Sequence, residues 1–148
     1  MGLIRKGFAG SHGEPNVPCT GTDLRCERVH SQGIATTPVQ RMFRVTYIHP
    51  DGQTSEVEAA DGANLMTVAT AHGIEGIVGD CGGVMSCATC HVIVQAPWDE
   101  KLGARSENED QMLDYTAAPR EAASRLCCQI VMNAAIDGIC VRIADPQL

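Results

Sequence analysis

From Met42 onward apolar and polar positions alternate: Phe43, Val45 and Tyr47 are apolar, Arg44 and Thr46 polar. That period of two is the signature of a half-buried strand. Asp51–Gly52 is a hairpin signal, and Thr54 to Ala60 is the predicted returning strand. The period then changes. Leu65, Val68, Ala69 and His72 fall at i, i+3, i+4 and i+7, which predicts a helix over about 64–72 that Gly73 is placed to end. A Gly- and Cys-rich loop occupies 77–90, and His91 to Gln95 reads as a strand. Ser106 with Glu109 three residues later is a capping-box signal for a short helix reaching Asp114 or Tyr115. Cys128 to Met132 and Ile139 to Ile143 are the last two predicted strands. Together these elements describe a mixed α+β domain.

Residues 1–41 carry no such pattern. Gly, Ser, Pro and Thr are scattered through them, and neither period persists. They read as a disordered extension of a domain over 42–148, or as translation from a start upstream of a natural one at Met42. They lack the apolar stretch of a signal peptide, and three acidic residues without amphipathic pattern count against a mitochondrial transit peptide. Cys19, Cys26, His12 and His30 lie here at spacings that match no strong metal-ligand pattern.

Composition narrows the class. Aromatic residues are only 3% of the chain, so the core must be built from Val, Ile, Leu, Met and Ala. No run approaches the roughly 18 apolar residues of a membrane span, and the expectation is a soluble protein of the bacterial cytoplasm, with the mitochondrial matrix as the alternative. The net charge of −7 divides into +2 on residues 1–41 and −9 on the remainder. A body this acidic is unsuited to nucleic acid, whose phosphates demand Lys and Arg. It suits a partner with a basic docking surface, because complementary fields speed encounter.

Eight cysteines require a reason. A disulfide framework fits poorly, because Cys127 and Cys128 are adjacent and Cys81, Cys87 and Cys90 crowd one loop. The segment Asp80-Cys81-Gly82-Gly83-Val84-Met85-Ser86-Cys87-Ala88-Thr89-Cys90-His91 spaces its cysteines by five residues and then two, with a remote cysteine at 127 or 128. A [2Fe–2S] cluster needs two thiolates on each iron, and three ligands from one loop plus one distant ligand can enclose it. Four thiolates and two sulfides carry a negative charge that is prohibitive to bury unaided. Backbone N–H groups aimed at the sulfurs compensate, and Gly82, Gly83, Ser86, Ala88 and Thr89 are small enough to let the backbone wrap closely. A structural zinc would use Cys87-x-x-Cys90 with two further cysteines, making a zinc-stabilised interaction domain the rival of a different class. Rieske ligation needs two histidines where His91 stands alone, and a thioredoxin-like pair lacks its βαβ setting.

At these residues the chain resembles the 2Fe–2S ferredoxins of the adrenodoxin and putidaredoxin type. The resemblance is carried by Gly76-Ile77-Val78-Gly79-Asp80-Cys81-Gly82-Gly83, by Ser86-Cys87-Ala88-Thr89-Cys90-His91-Val92 and by Ser124-Arg125-Leu126-Cys127-Cys128-Gln129-Ile130. It extends from about Met42 to Pro146, and its Cys-x5-Cys separates it from plant-type ferredoxins. It implies a β-grasp (ubiquitin-like) fold and a fourth ligand immediately before Gln129, hence Cys128. It also implies a one-electron carrier, not an enzyme, running from an FAD-containing NAD(P)H-dependent ferredoxin reductase to a cytochrome P-450 monooxygenase. Electron donation to iron–sulfur cluster assembly, or to another oxygenase, shares the same motif. The terminus Asp145-Pro146-Gln147-Leu148 lacks the aromatic end of putidaredoxin.

On the short helix Glu107, Asp110 and Asp114 share a face, which helical charge patterning alone reads as solvated. The resemblance makes it the docking surface for basic partners; Asp80, beside the cluster loop, is a second candidate. His91 is expected to orient the loop by hydrogen bonding, and Cys127 and Cys140 to pack as buried thiols. A monomer suits a shuttle.

Overall fold

The computed structural model describes residues 40–148. The first strand, β1 (Met42–Ile48), buries Phe43, Val45 and Tyr47. It turns at Gly52, whose φ of +86° a side chain would resist, into β2 (Thr54–Ala60). Asp51 Oδ1 accepts the Gln53 N–H at 2.9 Å, and His49 accepts the Gly52 N–H at 2.9 Å. Helix α1 (Leu65–Ala71) begins at Asn64, whose Oδ1 accepts the Thr67 N–H at 2.8 Å. Its buried face is Leu65, Met66, Val68 and Ala69; His72 is exposed and bonds Val68 O through Nδ1. The expected stripe therefore ends a turn early, because the chain leaves the helix at Gly73 (φ +66°).

Beyond the cysteine loop come β3 (His91–Val94), the one-turn helix α2 (Trp98–Lys101) and α3 (Glu107–Met112), capped by Ser106 Oγ on the Glu109 N–H. A 3₁₀ turn over Leu113–Tyr115 extends α3. The next strand, β4 (Ser124–Leu126), lies four residues before the position expected for it. Cys127–Gln129 is a 3₁₀ turn, and Val131 makes only an isolated bridge to Asn64. The apolar run from Cys128 to Met132 is continuous because it is buried, not because it pairs as a strand. The last strand is β5 (Ile139–Ile143).

The five strands form one mixed sheet in the order β2-β1-β5-β3-β4. β1 pairs parallel with β5 in register Val45↔Ile139, and the other neighbours pair antiparallel. This is the β-grasp arrangement, an α+β fold as expected. Inward residues Val45, Tyr47, Val92, Leu126, Ile139 and Ile143 join the buried face of α1 in one cluster. Each fully buried aliphatic side chain contributes about 1.5–3 kcal/mol. The core thus rests on aliphatic burial, as the scarcity of aromatics requires. No helix among the described residues is long and apolar enough to cross a membrane. Residues 1–39, with Cys19 and Cys26, lie outside the described residues.

Candidate metal-cluster site

The loop between α1 and β3 is shaped by its backbone. Gly76, Gly79, Gly82 and Gly83 all have positive φ, and so do Met85 and Ala88, both at +56°. A left-handed conformation costs a non-glycine residue roughly 1–2 kcal/mol, so the tertiary context must hold these two in place. Part of that context is Met66 of α1. A Cβ on Gly79 would fall 2.7 Å from Met66 Sδ, and one on Gly83 would lie 3.6 Å from both Met66 Cε and Cys128 Cβ. The loop therefore presses onto α1 and onto the turn after β4.

Thr89 ties the loop to itself. Its carbonyl accepts the Val78 and Gly79 N–H groups at 3.1 Å each, and its Oγ1 accepts the Asp80 N–H at 3.1 Å. The same Oγ1 lies 3.1 Å from Cys87 Sγ.

The thiols lie on this loop and on the turn after β4. The Cys81 N–H donates to Cys87 Sγ at 3.3 Å. Cys90, Cys127 and Cys128 are buried together, the Cys90 thiol beside both of the others. The Cys127 N–H donates to Cys90 O at 2.9 Å, which stitches the turn carrying Cys128 to the end of the loop. Gln129 Nε2 donates to Cys128 Sγ at 3.4 Å. Among the described residues no three His, Cys, Asp or Glu side chains converge as a single-ion centre. Cys81, Cys87, Cys90 and Cys128 together offer four thiols, the number that a two-iron cluster takes.

The electrostatics divide the thiols. Desolvation pushes the Cys81 thiol up, but hydrogen bonds from the Ser86 backbone, the Cys87 side chain and the Gly83 backbone outweigh it and lower the thiol to about 6. Cys90 is pushed up to about 12, first by its hydrogen bond to Cys127; the one to Cys128 opposes and burial adds. Cys128 is raised by its bond to Cys90 and by desolvation. Iron held by these thiols would supply the positive charge that favours their deprotonated form.

Other expected residues fall as follows. His91 is buried, and its Nε2 lies 2.7 Å from Ser124 Oγ on β4, so the ring bonds the sheet and not a thiol. Burial lowers its pKa, with Glu121 opposing and Arg142 adding. Cys127 is fully buried in the core, whereas Cys140 is half-buried. Asp80, Glu107 and Asp114 are exposed. Asp110 and Asp114 are both engaged by Arg120, and Arg105 Nε lies 3.3 Å from Asp110. The acidic face is therefore partly neutralised from its own domain, leaving Glu107 and Asp80 without an ion pair among the described residues. Met66 and Gln129 were not singled out from sequence as site residues. Gln129 had a signal, its place beside Cys128; Met66 had none.

A groove of about 210 Å³ runs between the cysteine loop and α3, lined by Val84, Met85, Asn108, Gln111, Met112 and Tyr115. Val84 and Tyr115 are 72% and 77% exposed, which leaves apolar surface at its rim. A cleft of about 370 Å³ near Leu102 and Arg105 contains none of the four cysteines.

Residues 48–133 match the family described as 2Fe-2S iron-sulfur cluster binding domain. Fold and loop together thus define a β-grasp iron–sulfur protein. Rhodocoxin from Rhodococcus erythropolis is 51% identical over 107 residues, covering 72% of this chain and 100% of that one. Putidaredoxin from Pseudomonas putida is 47% identical over 106 residues, 72% of this chain and 99% of that one. Among solved structures, reduced putidaredoxin superposes with a TM-score of 0.69, covering 71% of this chain and 99% of that one at 47% identity. Putidaredoxin in covalent complex with putidaredoxin reductase gives 0.67 at 46% identity, covering 69% and 98%. An ISC-like [2Fe-2S] ferredoxin from Pseudomonas putida gives 0.61 at 33% identity, covering 72% and 96%. The chain belongs to the 2Fe–2S ferredoxins of the adrenodoxin and putidaredoxin type. It is an electron carrier with one [2Fe–2S] cluster, not an enzyme in its own right.

Proposed function

We propose that Cys81, Cys87, Cys90 and Cys128 hold the cluster, and that the chain carries single electrons from an FAD-containing NAD(P)H-dependent ferredoxin reductase to a cytochrome P-450. The ligand assignment is supported by the loop that gathers Cys81, Cys87 and Cys90 and by the turn that lays Cys128 against it, with the Cys127 N–H on Cys90 O and a Cβ on Gly83 falling 3.6 Å from Cys128 Cβ. Cys128 is taken over Cys127 because the family resemblance places the fourth ligand directly before Gln129, whose Nε2 donates to the sulfur of Cys128. When bound, the cluster supplies a one-electron redox centre. The protein's part is to position and to shield. Gly82, Gly83 and Ser86 bring backbone close to Cys81, Ala88 supplies a buried left-handed corner, and Thr89 and Gln129 hydrogen-bond the sulfurs of Cys87 and Cys128. Hydrogen bonds to sulfur and restricted solvent access set the potential.

Asp80, Glu107, Asp110 and Asp114 form the face offered to basic partners, with the Val84–Tyr115 groove between loop and helix. The reductase is supported by the likeness to putidaredoxin, which has been solved bound to its own. The P-450 is supported by the Gly79-Asp80-Cys81-Gly82-Gly83 run. A second reading, donation to iron–sulfur cluster assembly, is favoured by the weaker likeness to the ISC-like ferredoxin.

The testing experiment is a visible spectrum before and after dithionite, with iron and acid-labile sulfide assays. The expected result is a brown protein that bleaches in part, with about two irons and two sulfides per chain. A colourless protein with one zinc overturns the reading. Stopped-flow transfer from the reduced protein to a P-450, against transfer to an assembly scaffold complex, separates the two acceptors.

A further inference from the structure

The Cys90–His91 peptide is gripped from both sides. On one side its carbonyl, Cys90 O, accepts the Cys127 N–H at 2.9 Å. On the other its N–H, that of His91, donates to Gln147 Oε1 at 3.0 Å. The same carboxamide donates through Nε2 to His91 O at 2.7 Å and to Ala144 O at 3.0 Å. Ala144 follows β5 directly, and its own N–H reaches His91 O at 3.2 Å. One side-chain amide, 56 residues away in sequence, thus closes the ladder between β3 and the segment after β5.

A carboxamide suits this place for a chemical reason. Like a peptide group it offers an acceptor and a donor at once, so it takes up the His91 N–H, covers Ala144 O and adds a second donor to His91 O beside the Ala144 N–H. His91 is 1% exposed, so water is a poor substitute at its backbone. The register of the chain on leaving β5 sets which residue does this, and Gln147 is the next to last.

We propose that Gln147 is a positioning residue for Cys90: by fixing the Cys90–His91 peptide it holds that thiolate in place and makes the C-terminal residues part of the cluster's support. The inference rests on the reading that Cys90 is a ligand.

The test uses the holoprotein with Q147A, Q147E and a chain lacking only Leu148. Amide hydrogen exchange, the rate of absorbance loss in the presence of an iron chelator, and the midpoint potential are measured for each. Q147A is expected to speed exchange at His91 by about tenfold, the loss of one hydrogen bond at a site that opens locally, with faster cluster loss and a shifted potential. Q147E keeps the acceptor for the His91 N–H but sets a carboxylate against two carbonyls, so it follows Q147A and does not rescue. Removing Leu148 leaves all three readouts as in the native protein. Faster exchange at His91 with unchanged cluster lifetime and potential overturns the proposal, since Gln147 then ties down the terminus only. Unchanged exchange at His91 overturns it as well, as does acceleration spread evenly over Val45, Val92 and Val141. Failure of the ligand reading shows separately, as a C90S protein that retains its full iron, sulfide and native spectrum.

Discussion

Glu109 and Arg125 form a buried ion pair beneath α3. Arg125 Nε lies 2.8 Å from Glu109 Oε1 and Nη2 lies 3.1 Å from Oε2, with the carboxylate 2% and the guanidinium 12% exposed. Oε1 also accepts the Leu126 N–H at 3.0 Å. The pair ties the helix to the strand that leads into Cys127 and Cys128, so it supports the site from outside it. Surface pairs are worth little, but losing one partner of a buried pair strands a charge.

E109Q is accordingly expected to destabilise the fold by about 3–5 kcal/mol, because Arg125 remains buried without its counter-charge. Urea unfolding of the holoprotein measures this. A midpoint equal to that of the native protein would show that Arg125 finds water or another acceptor.

Changing Cys127 and Cys128 separately should give opposite results. C127S keeps the cluster spectrum, with some loss of stability from a hydroxyl placed in the core. C128S loses the spectrum, since one of the four proposed ligands is removed. Iron content of the two purified variants decides between them.

Gly79→Ala is expected to loosen the loop. The new methyl meets Met66 Sδ at 2.7 Å and Cγ at 2.8 Å, at a φ of +61°. The dihedral alone costs roughly 1–2 kcal/mol. Cluster lifetime under chelator should shorten, and adding M66A should restore part of it, because shortening the neighbour relieves the clash but not the dihedral.

Tyr47 donates its hydroxyl to Leu65 O at 2.7 Å inside the core. Desolvation first, and the nearby Cys127 second, raise its pKa above the ordinary value of 10.0. The unfolded phenol ionises near 10 while the folded one resists. Stability from this group is therefore complete below pH about 10 and is lost as pH rises from there toward the folded value. Y47F should cost about 0.5–1.5 kcal/mol at neutral pH, the loss of one buried hydrogen bond to a carbonyl that keeps its place in helix α1. It should also flatten the alkaline limb of a stability–pH profile taken by chemical denaturation.

Docking should have two separable parts. E107Q with D80N is expected to slow transfer with the partner at low salt and to weaken its salt dependence, since screening acts on exposed charge. V84S with Y115S is expected to raise the KM for the partner at every ionic strength, because apolar contact is not screened. Transfer kinetics across a salt series distinguish the two; if native transfer does not respond to salt at all, the charged part is absent.

The sequence by itself determined β1, β2, α1 and the capped start of α3, because each is written in a local period or in a cap three residues away. It also determined the nature of the site. Three cysteines, with glycines where the backbone must turn left-handed, lie within one loop. A local reading cannot see partners that are distant in the chain. The run from Cys128 to Met132 read as a strand because burial and pairing leave the same apolar mark; only the tertiary structure moved β4 to Ser124–Leu126 and bent Cys128 toward Cys90. Glu109 read as a cap residue and proved to be the buried anchor of Arg125, 16 positions on. Asp110 and Asp114 read as free charge, yet both are held by Arg120. Met66 under Gly79, and Gln147 against the Cys90–His91 peptide, carried no local signal, because a close approach and a hydrogen bond are decided by which surfaces the fold brings together.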